Sequence, residues 1–237
     1  MISLAFILKF IVAAVGAGTP LLFGTVGEIM SEKVGHLNLG VEGMMAVGAV
    51  AGFAAGYMTG NLAAAMIAAF AAGMLAALIY AVLTVGFMAN QNVIGLTLTI
   101  FGVGLANFIG VYMVGRTGTN NWQLPAVLID QMKNVNIPVL TDIPVLGKLL
   151  FNYDPFTYVG IAIALLCGWY LFRTKAGLNT QAIGENPSAA DAASIQVTKW
   201  KYINILVGGG ICGIGGAYCS MVINGGIWIS DCVGGLG

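Results

Sequence analysis

The sequence predicts an all-α fold, a polytopic helical membrane protein in which residues 1–237 form one transmembrane domain with about six spans present. Three observations carry this. Hydrophobic residues make up 59% of the chain and charged residues 8%, where a soluble domain carries about a quarter charged. Mean hydropathy is +0.93. Between residues 43 and 115 there is no Asp, Glu, Lys, Arg or His. Helices satisfy their own backbone groups and are therefore the form in which such a stretch lies in lipid. The 35 glycines agree, because glycine is frequent in membrane helices and lets backbones approach closely.

A membrane helix needs about 20 apolar residues, and the spans follow in order. The first covers residues 7–27. It is charge-free after Lys9 and has no basic leader before it, so it reads as a retained span rather than a cleaved signal. A polar link with Glu28, Ser31, Glu32, Lys33 and His36 leads to a second span over 37–58, closed by Thr59-Gly60-Asn61. The third covers 62–88 and is nearly all Ala, Leu, Ile, Met and Gly. Asn90-Gln91-Asn92 breaks the chain before the fourth, 93–115. Residues 116–154, with Pro125, Pro138 and Pro144, read as a long polar loop. The fifth span is 155–172, and a polar hairpin, 173–201, precedes the glycine-rich sixth, 202–223. Rows of small residues, Gly48/Gly52/Gly56 and Gly209/Gly213/Ala217, have helix-packing spacing.

Basic residues cluster at the hairpin: Arg173, Lys175, Lys199 and Lys201, with Lys33 on the same side. The other side holds Lys9, Arg116, Lys133 and Lys148, the last two in a long loop where charge weighs less. The expected orientation is a cytoplasmic hairpin and an extracytoplasmic 116–154 loop. Within the hairpin, Gly184, Asn186 and Pro187 mark a turn. An Ala-rich stretch then predicts a short helix with Asn186 as N-cap and Pro187 in its first turn.

Ionisable groups within a membrane are costly and usually functional, and Glu42 is the one expected here. With Asn38 four residues earlier it would share a helix face, and the glycines around it suggest a broken helix entry of the kind that lines cavities. The plainer alternative is a carboxylate capping a helix start at the interface. Along the fourth span Asn92, Gly95, Thr99, Gly102 and Ala106 fall on one face, with Thr97 and Asn107 nearby. Uncharged polar groups there suit an uncharged, hydroxyl-rich solute, or else hydrogen bonds between helices. The four cysteines lack metal-ligand spacing, and the one histidine, His36, has no second histidine to form a metal site with. No cofactor and no nucleic-acid partner is indicated. No phosphate-binding loop is present, so an enzyme that hydrolyses nucleotide itself is excluded.

Two strings resemble one family. Thr19-Pro20-Leu21-Leu22 through Gly27-Glu28-Ile29, continuing Ser31-Glu32-Lys33-Val34-Gly35-His36-Leu37-Asn38-Leu39-Gly40-Val41-Glu42-Gly43-Met44-Met45, is similar to the opening of ABC importer permeases of the nucleoside and simple-sugar type, relatives of the branched-chain amino acid and ribose permeases. Ala182-Ile183-Gly184-Glu185-Asn186-Pro187-Ser188-Ala189-Ala190, followed by Ile195, resembles their cytoplasmic coupling segment. The resemblance implies a multi-pass subunit of a prokaryotic cell (plasma) membrane, embedded in membrane lipid. It would pair with a second permease subunit, with an ATP-hydrolysing ABC subunit inside, and with an extracytoplasmic substrate-binding lipoprotein. Gly184, Glu185, Asn186, Pro187, Ala189, Ala190 and Ile195 would couple to the ATPase; Asn38, Glu42, Asn92, Thr97, Thr99 and Asn107 would line the path. Ser194 stands where relatives usually carry Gly. The chain stops where they continue, which implies further C-terminal spans. The competing expectations are an ion-coupled secondary transporter or channel using Glu42, and a non-transporting scaffold.

Overall fold

A computed structural model describes residues 4–118, 121–135 and 152–234. Pro138, Pro144 and Lys148 of the expected long loop lie outside the described residues. Among the described residues, six helices are long and apolar enough to cross a membrane.

Helix α1 (Leu4–Glu32) runs through Pro20. Proline has no N–H, so the carbonyl of Gly16 loses its helical partner. The Tyr218 hydroxyl donates to that carbonyl at 3.1 Å and fills the gap. α1 does not stop at residue 27, as the sequence reading had it. Gly27 is a packing residue whose α-carbon faces the Cys212 thiol and the Gly208 carbonyl of the last span. The helix closes instead on Gly35 at φ +81°, with the N–H of His36 on the carbonyl of Ser31 (3.1 Å) and the N–H of Gly35 on that of Glu32 (2.9 Å). That is a Schellman closure, which a glycine one residue past the cap makes possible. Glu28 therefore belongs to the span and not to a link.

α2 (Val41–Thr59) starts later than residue 37, because 36–40 is not helical. It ends on left-handed Gly60, whose N–H reaches the Gly56 carbonyl at 2.8 Å. Asn61 caps α3 (Leu62–Ala81) through the N–H of Ala63 at 2.8 Å, and a π-turn, Val82–Gly86, extends it. Asn90 caps α4 (Gln91–Arg116) in the same way. A short α5 (Ala126–Gln131) follows. Asp154 caps α6 (Pro155–Arg173), accepting from the N–H of Thr157 at 2.9 Å. The hairpin holds two helices where the sequence reading placed one: α7 (Lys175–Glu185), capped by Thr174, and α8 (Pro187–Ala192), capped by Asn186. α9 (Val197–Tyr218) and its π-turn, Cys219–Ile223, complete the described bundle.

α9 is the axis of the bundle, with 83% of its most apolar window buried against α1, α2 and α3. Its glycines set the spacing. Gly213 lies against Gly48 of α2 and Ala69 of α3, Gly209 against Gly73 of α3, and Gly208 against Gly27 of α1. A Cβ on Gly52 would sit 2.8 Å from the Cβ of Ala217. The two rows of small residues in the sequence are thus contact rows between backbones, where dispersion and close approach replace a hydrophobic driving force. At the end away from Gly35, Trp122 and Trp228 close the bundle on Phe53, with ring centroids 4.6 and 5.4 Å away. The Trp228 N–H pairs with the Trp122 carbonyl at 2.9 Å. Phe10, Phe101, Phe108, Leu165 and Phe172 point outward, as a lipid-facing surface requires. All four cysteines are free thiols, two of them buried.

Candidate functional site

Residues 36–40 fold back between α1 and α4 without helical hydrogen bonds. Backbone polar groups inside an apolar bundle need partners, and side chains of three different helices supply them. Gln91 Oε1 accepts from the Leu37 N–H (2.9 Å), and the Tyr80 hydroxyl donates to the Leu37 carbonyl (2.8 Å). Glu28 Oε1 accepts from the Asn38 N–H at 2.7 Å. Thr99 Oγ1 donates to the Leu39 carbonyl at 2.9 Å. Asn38 Oδ1 accepts from the Gly40 N–H at 3.0 Å. The segment is a polar shelf suspended from α1, α3 and α4. Gly40 leaves the first N–H groups of α2 without a side-chain cap.

Between this shelf and α1 lies a cavity of about 330 Å³, lined by Leu21, Gly24, Thr25, Glu28, Ile29 and Glu32 on one side and Leu37, Asn38, Leu39 and Val41 on the other. Its volume falls in the range of about 300–1,000 Å³ typical of small-molecule sites. The wall is mostly apolar, with Thr25, Glu28, Glu32 and Asn38 as its polar side chains. A neutral molecule carrying several hydroxyls can meet such a mixed set, since each hydroxyl donates and accepts. The second carboxylate oxygen of Glu28 is buried and has no hydrogen-bond partner among the described residues. Sequence reasoning missed Glu28 by ending the span at residue 27; Gly35 was the signal that would have kept it inside.

The expected path residues separate. Asn38 is buried in the shelf and contacts the cavity. Glu42 is half-buried on the first turn of α2; it does not share a helix face with Asn38, which precedes the helix. Thr99 holds the shelf. The row Gly95, Gly102 and Ala106 is buried, Gly95 against Leu39 and Gly102 against Gly43. Thr97 returns its hydroxyl to the Val93 carbonyl at 2.8 Å and lines a separate apolar crevice between α3 and α4. Asn92 is exposed. Asn107 lies near the tryptophan end, accepting from the Asp231 N–H at 2.9 Å.

The hairpin sits at the shelf's end of the bundle. Gly184 is in contact with the Lys33 carbonyl and lies beside Gly35, and an open cleft of about 220 Å³ runs between Glu32, Lys33 and Gln181, Gly184, Glu185. Beyond it α8 projects. Pro187, Ser188, Ala189, Asp191, Ala192 and Ala193 are all exposed, as are Glu185 and Asn186, while Ala190 is buried and Ile195 partly so. The Ile195 N–H closes back on the Ala190 carbonyl at 3.0 Å. Ser194 between them has φ +64°, the left-handed region that glycine occupies freely and another residue occupies at about 1–2 kcal/mol.

His36 is buried under the shelf, and neither ring nitrogen has a hydrogen-bond partner among the described residues. Burial, with the Lys201 charge nearby, pushes its pKa down to about 4 from the usual 6.5. Between these values the unfolded chain binds a proton that the folded one does not, so this group's contribution falls as pH drops through that window and is unaffected above it. The melting temperature of purified protein is expected to fall from pH 7 to pH 5 by more than that of His36→Leu. Equal slopes would contradict a buried neutral imidazole.

A family profile described as "Branched-chain amino acid transport system / permease component" matches residues 10–233. A Haloferax volcanii protein provisionally named a glucose ABC transporter permease protein is 32% identical over 225 residues, covering 95% of this chain and 66% of that protein. The nucleoside ABC transporter permease protein of Lactococcus lactis is 32% identical, covering 91% of this chain and 68% of its own length. The guanosine ABC transporter permease protein of Bacillus subtilis is 35% identical, covering 86% and 64%. The chain therefore spans about two thirds of the length of the curated relatives it matches. No solved structure matches.

Proposed function

From the fact that this chain belongs to the family of branched-chain amino acid transport system permease components, we propose that it is the membrane-spanning permease subunit of an ATP-driven importer for nucleosides or simple sugars. The observation that supports the reading is an exposed, capped α8 directly beyond the shelf and its cavity, so that one end of the bundle holds both a handle and a chamber. In this reading the hairpin 173–201 is cytoplasmic, the tryptophan end with residues 116–154 is extracytoplasmic, and Asn38, Glu42 and Thr99 together with Glu28 belong to the solute path. The ATP-hydrolysing subunit takes the face made by Gly184, Glu185, Asn186, Pro187, Ala189, Ala190 and Ile195. A second permease subunit and a substrate-binding lipoprotein complete the assembly. The named relatives are ABC permeases, and the ion-coupled alternative through Glu42 has no such support and is set aside.

Proteoliposomes carrying the full-length assembly test this. Uptake of labelled guanosine or glucose is expected to require ATP on the hairpin side and to persist when ionophores dissipate ion gradients. Uptake that ignores ATP and vanishes with an ion gradient would reverse the conclusion. Glu28→Gln keeps the shape and replaces one carboxyl oxygen with an amide nitrogen; in the same vesicles it is expected to lower uptake about tenfold, the worth of one strong hydrogen bond. Unchanged uptake would remove Glu28 from the path.

A further inference from the structure

Where α6, α7 and α9 meet, three polar side chains close on one another. Asn204 of α9 and Thr180 of α7 are both fully buried, at 0% exposure. The Asn204 amide donates one proton to the Trp200 carbonyl (2.8 Å) and the other to Thr180 Oγ1 (3.2 Å). The Thr180 hydroxyl donates to the Ala176 carbonyl at 3.0 Å. The Tyr170 hydroxyl of α6 lies 3.4 Å from Asn204 Oδ1 and 3.2 Å from Thr180 Oγ1, and donates to the former. Every side-chain proton in the set is used, and the Trp200 carbonyl fixes which way the amide points. Beside it, Gln181 Nε2 donates to the Leu171 carbonyl at 2.6 Å.

A polar joint of this kind sets register where an apolar contact would allow sliding. The buried residues of α7 are Gly177, Thr180 and Ile183, and of these Thr180 is the one whose side chain hydrogen-bonds to α9. One turn further along α9, Gly208 touches Gly27 and lies beside Ser31 of α1, next to Glu28 in the cavity wall. A continuous line of close contacts thus runs from α8 through Thr180 and Asn204 to the cavity.

We propose that the Asn204–Thr180–Tyr170 joint is the positioning element that passes displacement of the α7–α8 hairpin to the central helix α9 and so to the cavity. This rests on the importer reading above. The joint touches neither solute nor the partner's nucleotide; it acts by keeping hairpin and axis in one rigid body.

The complete assembly in proteoliposomes tests it, with ATP hydrolysis and solute uptake measured on the same vesicles. Thr180→Val is expected to keep subunit association and basal hydrolysis while uptake per ATP falls about tenfold, within the usual size of coupling free energies. Thr180→Ser, which retains the hydroxyl, is expected to restore the ratio. The triple variant Tyr170→Phe/Thr180→Val/Asn204→Leu removes all three members and leaves none of their polar groups orphaned, so it is expected to regain thermal stability but not coupling. A ratio recovered along with stability in the triple variant would overturn the proposal, since the joint would then be structural only. An unchanged ratio in Thr180→Val, with a working wild type, would overturn it as well. A wild-type assembly without ATP-dependent uptake would instead bring down the importer reading.

Discussion

Gly216→Ala is expected to destabilise the folded protein severely, although it adds a single methyl group. A Cβ at this position of α9 would lie 2.5 Å from the Met45 carbonyl carbon and nearer still to its oxygen. The obstacle is backbone of α2, which cannot rotate aside as a side chain would. Relief requires α2 and α9 to part, and with them the contacts of Gly48 with Gly213 and of Gly52 with Ala217. Overpacking by a methylene or more costs about 1–3 kcal/mol where side chains can yield. Here the cost lies at or above that range, against a total stability of about 5–15 kcal/mol. Gly104→Ala is the control: it is exposed on α4, and a Cβ there meets nothing within 4 Å. That variant is expected to be neutral or slightly stabilising, because alanine is the better helix former. Yield of monodisperse protein and thermal unfolding in detergent separate the two; equal behaviour would mean that α9 is not the axis of the bundle.

On the proposed importer function, Ala189→Arg with Ala192→Arg is expected to release the ATP-hydrolysing subunit while leaving the bundle intact. Both positions are exposed and lie three apart on α8, so no buried contact is lost. Two long cations on a slim alanine face should block a groove that fits it, and losing an interface hot spot of at least 2 kcal/mol weakens binding about thirtyfold or more. Co-purification is expected to disappear at wild-type expression and melting temperature. Unchanged co-purification would place the contact elsewhere.

Much of this was legible in the sequence. Composition located the spans because each needs only length and apolarity. The polar string around Pro187 located α8 because its cap and first-turn proline are local signals. What failed depended on partners distant in the chain. Gly27-Glu28 looked like the end of a span, yet Gly27 is small so that α9 can pass, and Glu28 is tolerated because it holds Asn38. Asn38 and Glu42 looked like one face, yet residues 37–39 are held out of the helix by Tyr80, Gln91 and Thr99 from other helices. For the polar row on the fourth span, lining and interhelical bonding both stood open; Thr99 bonds the Leu39 carbonyl and Gly95 and Gly102 are where backbone meets backbone. α7 was overlooked because a helix seated by Thr180 and Gln181 carries little apolar periodicity.

The central claim is that α8 is the surface on which an ATP-hydrolysing subunit pulls. A photo-crosslinking amino acid at Ala189 in the full-length protein, irradiated in native membranes, tests it most directly. The account predicts a single dominant adduct containing the ATP-hydrolysing subunit, with a yield that changes when nucleotide is added. Adducts without that subunit, or labelling of position 189 by an impermeant reagent from outside the cell, would contradict it.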